Sequence, residues 1–141
     1  MNLGILGSRN LVGIKIYEFI KAEIIKKNPD LIVTSGEIKG VCEYARMIAQ
    51  ELKIPLLTYF YDFHKYNKGC FEKRSEQIIK NSEQILVFHD GKSKGTINEI
   101  KLLKKLNRKY EYFLIKKEHS LGFQEEEINI DELLNGIRVV V

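Results

Sequence analysis

Short apolar runs and longer stretches with helical spacing take turns along the chain. The run LGIL at 3–6 reads as a buried strand, and 11–27 sets Val12, Ile16, Phe19, Ile20 and Ile24 on one side of a helix. Asn28-Pro29-Asp30 breaks that helix. LIVTS at 31–35 reads as a second strand. Val41, Ala45, Ile48, Ala49 and Leu52 share a face of the next helix, and PLLTYF at 55–60 is a third strand. Residues 61–70, YDFHKYNKGC, have neither period and read as a loop or lid. A helix over 71–82, a strand over 84–89, a helix over 95–107 with Ile97, Ile100, Leu103 and Leu106 inward, and a strand over 110–116 complete the alternation.

Strands that are apolar without a break belong in a sheet covered on both faces, and helices between them make that sheet parallel. The expected fold is α/β: a Rossmann-like, doubly wound, mainly parallel five-stranded sheet with helices on both faces. Right-handed crossovers gather the strand-to-helix loops at one edge, where ligands of such sheets bind. The loops at 7–10, 35–40, 61–70 and 90–95 are therefore the places to look for chemistry. The domain is expected over 3–118. The remainder, 119–141, is acidic and irregular through 121–130, then offers a short helical stretch with Asp131 near its cap and Gly136 at its stop, and ends in IRVVV, which reads as a strand. That extension is expected to pack on the domain or on a subunit partner, which admits a homo-oligomer.

Composition narrows the class. The chain has 141 residues, 44% of them hydrophobic, which suits one domain with a real core. No apolar run approaches the roughly 20 residues that span a bilayer, and no basic region precedes the first apolar stretch, so neither a membrane partner nor a signal peptide is expected. Cys42 and Cys70 make no disulfide framework, and the expected location is cytoplasmic. His64, His89 and His119 lack ligand spacing, so no metal is expected, and nothing implies a cofactor. A formal net charge of +4 suits an anionic ligand.

The glycine-bearing loops suggest which anion. In GSRN, Gly7 permits close backbone approach and positive φ, Ser8 offers a hydroxyl, and Arg9 a fork of donors for phosphate. In SGEIKG, Ser35, Gly36 and Gly40 suggest either an anion-receiving turn, where Lys39 can reach a phosphate, or a capped helix in which Ser35 makes only local hydrogen bonds. In DGKSKGT, Asp90 is followed by Gly91 and Gly95, which let the backbone fold into a nest of amides. Ser93, Lys94 and Thr96 stand there at a helix N-terminus. The loop is not a Walker A sequence. Glu99 lies just inside that helix, where it either faces the same mouth or serves as helix-start capping chemistry. Tyr59, Tyr61, Phe63 and Tyr66 either stack on a base or pack the lid down.

In this order, GSR, SGEIKG, Arg74 and DGKSKGT resemble the SLOG superfamily, the Rossmann-like group named for the Smf/DprA and Lonely Guy proteins. The resemblance runs over about 3–116 and is nearest to its small stand-alone YspA-like branch, whose pattern reads roughly GSR…SGGAKGAD…RN…DGKSKGT. It implies a domain that binds a nucleotide or nucleotide-derived ligand at these loops. Lonely Guy enzymes hydrolyse the N-glycosidic bond of nucleoside 5′-monophosphates with an arginine and a glutamate in R…PGGxGTxxE. The GTINE stretch carries that glutamate onto Glu99, and Arg74 takes the arginine position. The chain departs from these patterns at Glu37 (a glycine in the YspA-like proteins), at Cys42 (an aspartate), and at Ser75. Ser75 stands for an asparagine in the YspA-like pattern and for a lysine in Lonely Guy proteins. Pro-Gly-Gly is replaced as well.

The expected function is therefore binding of a nucleotide-derived small molecule at the carboxyl edge of the sheet. Nucleotide N-glycoside hydrolysis by Arg74 and Glu99 is the alternative. DprA-like binding of single-stranded DNA is a second alternative. That last reading needs a continuous basic and aromatic groove. The lysines of KLLKKLNRK at 101–109 fall on the solvent face of their helix, so nucleic acid is not the expected partner.

Overall fold

The computed structural model describes residues 1–61, 63–66, 69–116 and 139–140. The strands β1 (Asn2–Gly7), β2 (Leu31–Ser35), β3 (Leu56–Tyr59), β4 (Gln84–His89), β5 (Glu111–Leu114) and β6 (Val139–Val140) form one sheet in the order β3-β2-β1-β4-β5-β6. Every pairing is parallel. The five expected strands are present, and the two-residue β6 adds to the edge at β5. Apart from β6, the extension expected over 119–141, with its Asp131 and Gly136 signals, lies outside the described residues.

Successive strand residues point to opposite faces, and both faces are covered. Leu3, Ile5, Leu86 and Phe88 pack against α1 (Ile14–Lys27) and α2 (Val41–Glu51) through Ile20, Ile24, Ala45 and Ile48. Leu6, Val33, Ile85 and Val87 pack on the other side against α4 (Cys70–Lys80) and α5 (Lys94–Lys105) through Ile78, Ile79, Ile100 and Leu103. This double burial is why the strands carry no polar alternation. The chain winds outward from β1 to β3, then crosses to β4 on the other side of β1. The loops after β1 and β4 therefore part company, which opens a crevice at the carboxyl edge.

Element ends shift by a residue or two from the sequence pattern, and two stretches depart from it further. The helix expected from residue 11 begins at Ile14, and Val12 is exposed rather than inward. The carbonyl of Ser8 accepts from both the Leu11 and Val41 amides, at 3.4 and 3.3 Å, which folds the loop back against α2 and buries Leu11 outside any helix. The stretch read as a loop at 61–70 contains one helical turn, α3 (Phe63–Tyr66), and α4 already starts at Cys70. Among the described residues no helix is long and apolar enough to cross a membrane.

Candidate functional site

The crevice between the loops after β1 and β4 is a cleft of about 1370 Å³. The loops after β1, β2, β3 and β4 and the facing turns of α4 and α5 line it.

The β1 loop enters through close packing. A Cβ on Gly7 would lie 2.5 Å from the Phe88 carbonyl and 2.6 Å from Val41, so only glycine lets the end of β1 approach β4 and α2. Gly7 does not adopt positive φ; in this loop Gly13 does. Ser8 is buried, with its hydroxyl 3.1 Å from that of Thr96, so the β1 loop and α5 are held together beneath the cleft. Arg9 is exposed at the rim.

The β4 loop is built around Asp90. Its Oδ1 accepts from the Lys92 and Ser93 amides at 2.8 and 2.7 Å, and Oδ2 from the Ser93 hydroxyl at 3.0 Å. Burial opposes ionisation, but the Ser93 and Lys92 amides and the Ser93 hydroxyl hold the Asp90 carboxyl below its usual range. The nest of amides expected to receive a ligand phosphate is thus partly occupied by the loop's own carboxylate. Because the Ser93 hydroxyl is spent on Asp90, α5 starts with no side-chain cap. The first-turn amides of an uncapped helix lack intrahelical partners, and here Lys94, Gly95 and Thr96 stand at the cleft wall. His89 braces the loop from below. It is fully buried, its Nε2–H donates to the Ser93 carbonyl at 3.1 Å, and its Nδ1 then accepts from the Tyr112 hydroxyl at 2.7 Å. Burial pushes its pKa down, which keeps the ring neutral.

The β2 loop brings Ser35, Gly36 and Glu37 to the cleft. The Ser35 hydroxyl accepts from the Glu37 amide at 3.3 Å, a local turn bond. Arg46 donates to the carbonyls of Ser35 and Glu37 and fixes the loop from behind. The Glu37 carboxylate faces two arginines: Arg74 Nη1 donates to it at 2.8 Å, and Arg9 Nη1 lies 3.7 Å away. Arg74 is 8% exposed, its guanidinium lies 5.6 Å from the Phe71 ring centre, and its Nε has no hydrogen-bond partner among the described residues.

Glu99 stands half-buried on the cleft wall and accepts from the Ser75 hydroxyl at 3.1 Å. Burial raises its carboxyl to about 7; Arg74 and Ser75 pull it back, and Glu37 adds to the rise. Such a group holds or releases a proton near neutrality, which suits general acid or base chemistry.

Of the residues singled out from the sequence, Gly7, Ser8, Arg9, Ser35, Gly36, Arg74, Ser93, Lys94, Gly95, Thr96 and Glu99 come together in the cleft. Lys39, Gly40, Asp90 and Gly91 do not line it. Lys39 is exposed. Gly40 has φ 84, and a Cβ there would lie 2.5 Å from the Arg9 Cα, so it serves the packing of two loops. The pattern did not single out Glu37 or Ser75 as site residues, nor Phe60, Phe71, Lys101 and Lys105, all of which line the cleft. Phe60, Tyr61 and Phe71 are each more than half exposed there, with Tyr61 4.9 Å from Phe71. Tyr59 packs on the core instead, and the side chains of Phe63 and Tyr66 lie outside the described residues. Among the described residues no group of three His, Cys, Asp or Glu side chains is placed to hold a metal ion.

No protein-family model matches the sequence, and no curated protein matches it significantly. Among solved structures, DNA processing protein A from Helicobacter pylori shares the fold, with a TM-score of 0.60 and 22% identity over 99% of this chain and 74% of that one. That protein was described for its single-stranded DNA binding mode. The expectation that nucleic acid is not a partner does not stand, since a single-stranded DNA binder uses this fold. Its physical basis also fails: Lys101 and Lys105 are solvent-exposed, and that part of the solvent face of α5 lines the cleft.

Proposed function

We propose that the cleft binds single-stranded DNA, with phosphates along Lys94, Lys101, Lys105 and the first-turn amides of α5, and bases against Phe60, Tyr61 and Phe71. The observation that carries this reading is the union of cations and exposed rings on one cleft. Sequence-tolerant binding of single strands uses that combination: cations follow the backbone and rings stack on bases. The shared fold with a single-stranded DNA binder supports it. Membership of the SLOG superfamily, suggested by the GSR and DGKSKGT loops, belongs to the same proposal.

Fluorescence anisotropy with an oligo-dT strand across a salt series tests it. Binding that falls steeply with salt is expected. No binding even at low salt would remove the reading.

A second reading is favoured by Glu99. A free nucleotide would place its phosphate on the same rim and its glycosidic bond near a carboxyl that titrates at about 7. In that case Glu99 polarises the ribose or activates water, and Arg74 assists departure of the base. Incubation with nucleoside 5′-monophosphates would then release free base. A ligand of this kind at 100 times its Kd adds about 2.7 kcal/mol to stability, visible as a thermal shift.

A further inference from the structure

We infer that Glu37 is a specificity-determining residue: it fills the anion position between Arg9 and Arg74 and confines ligand phosphates to the outer rim of the cleft. The inference rests on reading the cleft as a phosphate-binding site.

Three observations lead there. The carboxylate is within hydrogen-bond reach of Arg74 at 2.8 Å and pairs with Arg9 at 3.7 Å, so it stands where a ligand oxyanion would bridge the two guanidinium groups. Its backbone is anchored by Arg46 and by the turn bond to Ser35, so the side chain is presented from a fixed stem. Arg74 is nine-tenths buried and keeps one N–H without an acceptor among the described residues, so its charge is only partly satisfied there. A buried guanidinium in that state binds an additional anion well, once a like charge is not already beside it.

With Glu37 in place, a phosphate approaching Arg74 meets a carboxylate at the same point. Like-charge juxtaposition in a partly desolvated site costs several kcal/mol. The phosphate is better placed at Lys94, Lys101, Lys105 and the α5 amides, and the sugar or base occupies the inner cleft. A residue without a carboxylate at position 37 would leave the arginine pair open to phosphate.

Calorimetric titration of inorganic phosphate into the wild type and Glu37→Gln tests this, with oligo-dT binding measured in parallel. The variant is expected to bind phosphate at least about tenfold more tightly than the wild type, and Glu37→Asp, which keeps the charge, to stay within about twofold of the wild type. Equal phosphate affinity in wild type and Glu37→Gln overturns the inference. So does an equal gain in Glu37→Asp, because space rather than charge would then be the cause. Should Glu37→Gln not fold, carboxylate and guanidinium NMR signals of the wild type decide. Phosphate should shift the 94–96 amides well before it shifts Glu37 or Arg74, and simultaneous shifts overturn the inference. Failure of oligo-dT to bind, with the phosphate gain intact, removes the DNA reading and leaves the role of Glu37 standing.

Discussion

The Ser75 hydroxyl donates to Glu99 Oε2 at 3.1 Å and so ties α4 to the early turns of α5 across the cleft. The bond favours the charged carboxylate, yet burial outweighs it and the carboxyl titrates at about 7. The native state therefore holds a proton that the unfolded chain has released at any pH between the usual glutamate value and about 7. Stability falls as pH rises through that window and is level above it. Glu99→Gln removes the penalty. It is expected to match the wild type in chemical denaturation at pH 4 and to exceed it at pH 8, by on the order of 2 kcal/mol after allowance for residual exposure. Equal stability at pH 8 would place the carboxylate in a far better solvated position.

Asp90 is a loop-forming residue. Asp90→Asn keeps the shape but loses the charge that accepts from two amides and a hydroxyl. A loss of about 1–3 kcal/mol at pH 7 is expected from urea denaturation. The wild-type carboxyl is held below its usual range, so this contribution is present above the unfolded pKa and lost as pH falls through the lower folded one. The difference between wild type and variant should shrink in acid.

Gly40 combines positive φ with backbone contact to Arg9. Gly40→Ala meets both strain and overlap, and a loss of at least about 2 kcal/mol is expected. The same change at Gly95, which has open space around its Cβ position, should be neutral or mildly stabilising because that residue lies in a helix. Thermal melts of the two variants separate packing from loop flexibility.

The rim and the rings should fail in different ways. Lys105→Ala removes a cation, so oligo-dT affinity drops and the slope of log affinity against log salt falls by about 0.7. Phe60→Ala removes a stacking surface. It should cost about 1–3 kcal/mol of binding and leave the salt slope unchanged. If both variants change the slope alike, the rings do not contact bases.

The architecture was legible in the chain because its physics is local. Runs such as QILVF must be covered on both faces, and the spacing of Val41, Ala45 and Ile48 allows one helical face. Those two periods dictate a layered parallel sheet, and the glycines after β1 and β4 mark where its edge opens. What each residue does at that edge was decided by tertiary contacts of long sequence separation. His89, held by Tyr112 across 23 positions of chain, donates to the Ser93 carbonyl and braces the loop that Asp90 closes locally. Glu37 meets Arg74 across 37 positions of chain, and no periodicity reports such a pairing. The α5 lysines show the same division. Sequence spacing put them on the solvent face, correctly, but only the crossing of the chain from β3 to β4 made that face the wall of a cleft. Hydrophobic burial is encoded every two or every few residues, whereas charge complementarity is realised only after the fold has brought distant side chains together.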